Sequence, residues 1–166
     1  MLTDLVEIRR QGEKKREENL RFRRHLKTHG LNERRFRRMA EEIEEQIDCT
    51  VCANCCKVAT ARLAKRDVER LARHLRVKPG VFLRDYSETS PEEGLILRRT
   101  TAGCVFLDGT ACTVYDERPA SCREFPHLVR GAGSLVSRMW EMPDRACYCP
   151  IVYNALEAYK VEAAFR

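Results

Sequence analysis

The chain has 166 residues, a formal net charge of +6 and a hydrophobic fraction of 43%. A chain of this length and apolar content can bury a core, so we expect one compact domain with an extension. The first residues lack the apolar stretch of a secretory signal, and no later stretch approaches the roughly 18 apolar residues that a membrane helix requires. We therefore expect a cytoplasmic protein that does not bind a membrane. In that compartment its nine cysteines are more typical of metal ligands or redox groups than of disulfides.

Residues 1–47 contain no cysteine and are predicted to form a charged helical extension. Two helices are expected, roughly from Thr3 to His29 and from Asn32 to Ile47, with Gly30 between them. In the second helix the apolar residues recur at three- and four-residue spacing and form one stripe. This stripe consists of Phe36, Met39, Ala40, Ile43 and Ile47.

The charges of this extension are segregated along the chain. Lysine and arginine crowd positions 21–38, and an acidic run follows over positions 41–48. The basic residues are Arg21, Arg23, Arg24, Lys27, Arg34, Arg35, Arg37 and Arg38. The simpler interpretation is a solvated face with glutamate partners. The alternative is a surface for an acidic partner, RNA or protein, although Phe22 and Phe36 are the only aromatic residues within the run.

From Cys49 onward the pattern changes to short elements. Residues 48–166 are predicted to form a small α+β metal-binding domain that contains short helices and a β-hairpin. Apolar spacing predicts a helix over about 63–75. Pro79 is expected to open a second, short helix, and 87–94 is expected to be a loop.

Short strands are predicted in the middle of this domain. They fall at 95–98, 104–107 and 111–115. Asp108-Gly109 lies between the last two and is a signal for a type I′ hairpin. Such a hairpin would place Cys104 and Cys112 near one another.

The last part of the domain is predicted to be a mixture of helix and strand. Pro119 ends the preceding strand and is expected to open a helical turn that carries Cys122. A further strand is expected over 135–142. The chain then forms an amphipathic helix with Pro150 at its first position, which puts Cys149 at the N-cap, where the helix dipole favours a thiolate.

The cysteine spacing is typical of a metal site. In Cys49-x-x-Cys52-x-x-Cys55-Cys56, three cysteines fall within seven residues, as in the opening of a bacterial ferredoxin run, and Cys149-Pro150 has the form of its distant ligand. Adjacent cysteines seldom chelate one tetrahedral ion, so Cys56 either serves a second site or is not a ligand.

Eight of the nine cysteines can be divided into two sets of four. One such division is Cys49, Cys52, Cys55 and Cys149 beside Cys56, Cys104, Cys112 and Cys122. The three-cysteine opening and Cys149-Pro150 favour an iron–sulfur cluster, whereas separated thiolate pairs fit Zn²⁺ equally well. The cofactor prediction is therefore an iron–sulfur cluster or zinc.

The remaining candidates are weaker. Cys147 is either a small buried hydrophobe or a redox or auxiliary ligand. His25 and His29, one helical turn apart, are better explained as exposed histidines than as a metal pair. His127 is a reserve ligand because it lies closest in sequence to the cysteines. The chain lacks a phosphate-binding loop, a nucleophile elbow and a His-Glu-x-x-His motif.

The ordered series from Cys49 to Pro150 resembles the YkgJ-type cysteine cluster family of zinc- or iron-chelating domains. Besides the opening motif, the resemblance rests on Gly-Cys104-Val-Phe-Leu-Asp-Gly, Cys112-Thr-Val-Tyr-x-x-Arg-Pro-x-x-Cys122-Arg-x-Phe-Pro and Cys149-Pro150. It implies a bacterial cytoplasmic domain with eight ligands. These are Cys49, Cys52, Cys55, Cys56, Cys104, Cys112, Cys122 and Cys149. The chain departs from the usual family form in its N-terminal extension and at Ala53-Asn54, where a glycine is usual.

Three functional hypotheses follow. The first is a metal-binding protein whose metal carries the fold, and also electrons if it is iron–sulfur. The second is a cluster-dependent enzyme, either an oxidoreductase or a protein methylase like the flagellin lysine methylases that some larger relatives resemble. The third is an adaptor that captures RNA or protein through the basic N-terminal helices.

Overall fold

The computed structural model describes residues 1–165, and these residues form two compact units. We call Met1–Asp48 together with the segment from Phe125 onward the helical unit, and Cys49–Glu124 the cysteine unit. The sequence-based division into 1–47 and 48–166 follows the cysteines and remains a prediction. The compact units instead group the segment after Glu124 with the N-terminal helices.

Three helices occupy the N-terminal part of the helical unit: α1 (Leu5–Lys14), α2 (Arg16–His29) and α3 (Glu33–Glu44). The single helix predicted up to His29 is interrupted at Lys15, which leaves helical geometry at φ −94° and ψ 6°. The Asp4 carboxylate caps α1 by accepting a hydrogen bond from the Glu7 amide at 2.8 Å. Asn32 caps α3 in the same way through the Arg35 amide at 3.0 Å, as its sequence position predicted.

The cysteine unit contains five short helices. They are α4 (Cys49–Cys52), α5 (Asn54–Val58), α6 (Lys65–His74), α7 (Pro79–Tyr86) and α8 (Ala120–Glu124), with a 3₁₀ turn at Tyr115–Glu117 before α8. The helices predicted around 63–75, from Pro79 and around Cys122 are confirmed. Phe82, Tyr86 and Phe106 stack in the apolar cluster of this unit, with ring centroids 5.5 Å apart for the first pair and 5.3 Å for the second.

Three antiparallel strand pairs complete the cysteine unit. They are β1 (Ser87–Ser90) with β2 (Gly94–Leu97), β3 (Arg99–Thr100) with β4 (Gly103–Cys104), and β5 (Leu107–Asp108) with β6 (Ala111–Cys112). The mixture of helix and strand confirms the α+β prediction.

Several predictions in this region are wrong. The strand predicted over 104–107 is split, because β4 ends at Cys104 and pairs with β3, whereas β5 begins at Leu107 and pairs with β6. The strand predicted over 111–115 ends at Cys112.

Positions 87–94 are not a loop, because β1 pairs with β2 along its whole length, from Ser87 opposite Leu97 to Ser90 opposite Gly94. Its polar sequence lacks the alternation that would identify a half-buried strand. The turn after β5 is not type I′, because only Gly109 has a positive φ there, at 62°, whereas type I′ requires two such residues.

The helical unit is completed by α9 (Leu135–Arg138), a 3₁₀ turn (Met139–Glu141), α10 (Met142–Arg145) and α11 (Pro150–Glu162). The strand predicted over 135–142 is therefore wrong. Its buried residues, Leu135, Met139 and Met142, recur at helical spacing, and Ser134 caps α9 by accepting from the Ser137 amide at 3.2 Å. The final helix is confirmed, with Pro150 at its first position and Cys149 at its N-cap.

The core of the helical unit forms around α11. The rings of Phe22 on α2 and Phe36 on α3 both lie against Tyr159, at centroid distances of 6.1 and 5.0 Å. Buried Lys160 donates hydrogen bonds to Glu18 at 2.5 Å and to Glu157 at 2.6 Å. Within residues 1–165, no helix is both long and apolar enough to cross a bilayer.

Candidate metal centre

The opening cysteine motif folds as two short helices joined by one residue. Helix α4 carries Cys49 and Cys52, and helix α5 carries Cys55 and Cys56. Ala53 lies between the helices in the left-handed region, at φ 46° and ψ 14°, and is only 3% exposed. Its amide donates to the Cys49 carbonyl at 2.9 Å and its carbonyl accepts from the Cys56 amide at 3.1 Å. The left-handed residue therefore sets the angle between the two cysteine pairs.

Cys104 and Cys112 end two short strands and share one local geometry. The Phe106 amide donates a hydrogen bond to the Cys104 sulfur, and the Val114 amide donates one to the Cys112 sulfur. In each case the donor lies two residues after the cysteine. Amide hydrogen bonds to sulfur favour the thiolate and orient it, as outer-shell partners do around metal ligands.

Gly103 allows the strand of Cys104 to approach the helix of Cys56. A Cβ atom on Gly103 would lie 2.6 Å from the Cys56 carbonyl oxygen and 2.9 Å from the Lys57 Cα. The φ of Gly103 is also positive, at 127°. Only glycine avoids both the contact and the backbone strain, so Gly103 makes the close approach of these two cysteines possible.

Arg99 holds the same two elements together. It pairs with Cys104 in the β3–β4 ladder, while its guanidinium donates to the carbonyl oxygens of Ala59 and Lys57 at the end of α5. These carbonyls have no partner within a helix that ends there. The guanidinium therefore satisfies the end of α5 and also contributes to lowering the pKa of Cys104, against the larger effect of burial.

Cys122 lies on α8, which is fixed by a buried carboxylate. Asp67 is 3% exposed and accepts hydrogen bonds from the Ala120 amide at 3.2 Å and from the Arg70 guanidinium at 2.7 Å. The Ser121 hydroxyl adds a bond to the Arg62 carbonyl at 2.8 Å. Helix α8 is thus attached to α6 and to the segment before it.

Four thiols from four different elements interact electrostatically, and we call them the four-thiol cluster. They are Cys56, Cys104, Cys112 and Cys122. Burial raises the pKa of Cys122 to about 12, with further contributions from Cys104, Cys56 and Cys112 in that order. Burial is also the main cause that raises the pKa values of Cys104 and Cys112, and the charge of Cys56 raises both further.

Cys56 is the exception in this cluster. A hydrogen bond from the Cys55 thiol is the main cause that lowers the pKa of Cys56 to about 7, and the Arg118 guanidinium lowers it further, against the effect of burial. Arg118 lies 3.7 Å above the Tyr115 ring and donates to the Tyr115 carbonyl at 2.7 Å. Within this cluster the pKa of Cys56 is therefore lowered while those of the other three thiols are raised.

The donor chemistry of this cluster fits a thiophilic cation. Four neighbouring thiolates, two of them held by amide hydrogen bonds, would repel one another unless a cation compensated their charge, and thiolate sets of this kind select zinc or iron–sulfur clusters. In the described part of the chain, no group of three or more His, Cys, Asp or Glu side chains is arranged so that it could hold a metal ion as it stands.

The other candidates are distributed over both units. Cys49, Cys52 and Cys55 lie in the cysteine unit, and Cys149 lies in the helical unit, where it is 5% exposed. The Cys147 thiol donates to the Pro143 carbonyl at 3.5 Å, and burial raises its pKa.

His25, His29 and His127 belong to the helical unit. The rings of His25 and His29 stack at 4.2 Å on α2, and the ring of His127 lies 6.1 Å from that of Phe125 in the helical unit. The assignment of the eight predicted ligands remains a prediction.

The comparison with protein-family models identifies the class of this chain. Residues 48–150 match the model CxxCxxCC, described as "Putative zinc- or iron-chelating domain". The match covers more than half of the chain, which therefore belongs to this family. A search of curated proteins and a search of solved structures found no match.

The supporting residues were not found by sequence reasoning. Gly103, Arg99 and Asp67 position the cysteines without being ligands themselves. A glycine immediately before a cysteine of the motif was a usable signal for Gly103, because glycine is often required where the backbone approaches another segment closely. Arg99 and Asp67 act across 40 or more residues of sequence, so no local pattern indicated them.

Proposed function

We propose that this chain is a cytoplasmic metal protein whose eight cysteines hold an iron–sulfur cluster or zinc, and that the metal organises the cysteine unit. The observation that supports the proposal is that Cys56, Cys104, Cys112 and Cys122, which lie on α5, β4, β6 and α8, are close enough to interact electrostatically. The other proposed ligands are Cys49, Cys52, Cys55 and Cys149.

The size of the strands supports a structural role for the metal. Each of β3, β4, β5 and β6 has two residues, so each ladder supplies few hydrogen bonds. A metal held by thiolates from four elements would link helices α5 and α8 to both small hairpins, and metal binding of this kind contributes directly to folding. The chain's own residues contribute the orientation: Gly103 and Arg99 bring β4 to α5, and Asp67 fixes α8.

Between the two metals, the proposal favours iron–sulfur. Amide hydrogen bonds to cysteine sulfur and burial are the features by which proteins tune iron–sulfur reduction potentials, and Cys104 and Cys112 each accept one from a backbone amide. When bound, such a cluster would supply one-electron transfer. Zinc would supply the structural role alone.

The direct test is anaerobic purification followed by analysis of metal and acid-labile sulfide and by a visible spectrum. Iron with equal sulfide and a broad absorption near about 400 nm would support the iron–sulfur form. Stoichiometric zinc without colour would support a structural zinc site and exclude a role in electron transfer. Protein that contains no metal, and takes up none when supplied with zinc or with iron and sulfide, would refute the proposal.

A further inference from the structure

The basic run of the helical unit lacks the carboxylate partners expected of an ordinary solvated face. Between positions 21 and 38 there are eight lysines and arginines and one acidic residue, Glu33. Within residues 1–165, only Arg35 of these eight forms an ion pair, with Glu162 at 3.0 Å. Helix α1 differs, because Arg9 and Arg10 there are paired with Glu13 and Glu7 at 3.0 and 2.6 Å. Most of the positive charge of the run is therefore not compensated by an ion pair among residues 1–165.

On α3 the unpaired cations lie on one face. Arg34, Arg37 and Arg38 are exposed and are three and four residues apart, so they are neighbours on the helix surface. Buried Phe36 and Ala40 mark the opposite face, which packs in the core. The acidic residues begin only at Glu41, so the cationic surface is confined to the first half of α3.

Helix α2 extends this surface. Arg24 and Lys27 are exposed, while Phe22 and Leu26 on the same helix are buried. The two helices are joined by the three residues 30–32, and Phe22 and Phe36 pack against the same side chain, Tyr159. The exposed cations of α2 and α3 therefore belong to the same packed unit.

An exposed aromatic ring lies beside α2. Trp140 is 70% exposed, which is unusual for so large an apolar side chain outside an interaction site. The Arg23 guanidinium lies 4.2 Å from the centroid of its ring and donates to the Trp140 carbonyl at 3.2 Å. The indole is thus held in place by α2 while most of its surface remains open.

We propose that these residues form a binding surface for single-stranded nucleic acid. We call it the basic surface and define it as Arg24, Lys27, Arg34, Arg37, Arg38 and Trp140. Its arginines and lysine would neutralise phosphates, and Trp140 would stack on an unpaired base, which is the combination that single-strand binding requires. An acidic peptide would use the same cations but has no base to stack on the indole, so Trp140 favours nucleic acid.

The proposal is tested by measuring, by fluorescence anisotropy, the affinity of the metal-loaded chain for a fluorescently labelled 20-nucleotide oligouridine. The variant R34Q/R37Q/R38Q is compared with R9Q/R10Q/R16Q, which removes the same charge from arginines that are paired with Glu13, Glu7 and Asp144. We expect about tenfold weaker binding or more in the first variant and less than about twofold in the second. The first variant should also reduce the slope of log K against log salt by about 2, since each single-strand phosphate contact contributes about 0.7.

Trp140 gives an independent readout because it is the only tryptophan of the chain. Stacking on a base should quench its fluorescence on titration with oligonucleotide, W140A should weaken binding by about tenfold, and W140F should retain most of the affinity. Equal losses in the two triple variants, or binding without quenching, would overturn the proposal. Tighter binding of a polyglutamate peptide than of the oligonucleotide would mean that the basic surface binds an acidic protein segment and not nucleic acid. The absence of any oligonucleotide binding would also refute the proposal.

Discussion

The helical unit and the cysteine unit differ in the interactions that stabilise them. The helical unit contains the larger apolar cluster, in which Phe22, Phe36 and Tyr159 pack together, and buried Lys160 is satisfied by two carboxylates. The cysteine unit has a smaller apolar cluster, and its last two strand pairs have two residues per strand. Burial therefore accounts for the first unit, whereas under the proposed function the second unit relies on a smaller apolar cluster together with the metal that its thiols bind.

Removal of the metal should therefore produce the largest difference in stability between the two units. Chelation of the loaded protein should raise amide hydrogen exchange across 49–124 by about a hundredfold or more, because metal binding supplies folding free energy there. Exchange in α1, α2 and α3, which carry none of the proposed ligands, should change by less than about threefold. Mass spectrometry of exchanged peptides measures both, and an equal rise in both units would contradict the comparison.

The pH dependence of metal affinity should show whether the thiols of the four-thiol cluster are the metal ligands. Ligand thiols must lose their protons to bind, so affinity rises with pH. The pKa of Cys56 is about 7 and that of Cys122 about 12, and those of Cys104 and Cys112 are raised. Metal binding by these four should release about four protons below pH 7 and about three above it.

Chelator competition between pH 6 and 8 measures this release as the slope of log K against pH, once the chelator's own protonation is subtracted. A slope near zero would mean that these thiols are not the ligands. The C147S variant is the control and should leave the slope unchanged.

Gly103→Ala should damage the cysteine unit alone. The new Cβ would meet the Cys56 carbonyl oxygen at 2.6 Å, so the strand of Cys104 must move away from α5, at a cost of about 2–3 kcal/mol. Metal occupancy should fall as a result. Gly80→Ala is the matched control, because nothing lies within 4 Å of its Cβ position. Denaturant melts and metal analysis of both variants give the result, and normal metal occupancy in G103A would show that this approach is unimportant.

Ala53→Gly should produce the smallest change, and a favourable one. A left-handed alanine costs about 1–2 kcal/mol relative to glycine, while the added glycine loses about 0.4–1 kcal/mol through the unfolded state. A net gain of about 0.5–1 kcal/mol in the free energy of unfolding is therefore expected. Ala59→Gly, at φ −92°, has no such strain to relieve and should destabilise. A loss of stability in A53G equal to that in A59G would contradict this explanation.

The accuracy of the sequence-based predictions depended on how local the structural signal was, and successes and failures occurred in both units. Caps, prolines and apolar periodicity correctly predicted α3, α6, α7 and α11, because those signals act within a few residues. The strand predicted over 135–142 is helical instead, because Leu135, Met139 and Met142 recur at helical spacing and are buried together. Strand β1 was missed because its register is set by its partner and not by its own polar residues.

The cysteine series predicted the family and the metal chemistry, but not the local environment of each thiol. The difference between the pKa of Cys56 and that of Cys122 arises from a hydrogen bond, an arginine and burial, none of which is visible in the spacing. The same holds for the missing ion pairs of the arginine run, since a sequence shows the charges but not which of them meet.

The most direct test of the central claim is the metal content of two serine variants purified anaerobically in parallel with the unaltered chain. Cys122→Ser removes one member of the four-thiol cluster, and Cys147→Ser removes the cysteine outside the eight-residue series. We expect C122S to lose the metal bound by the cluster, while C147S should retain the full stoichiometry and spectrum. Full metal content in C122S would contradict the claim that Cys56, Cys104, Cys112 and Cys122 act together as a metal site.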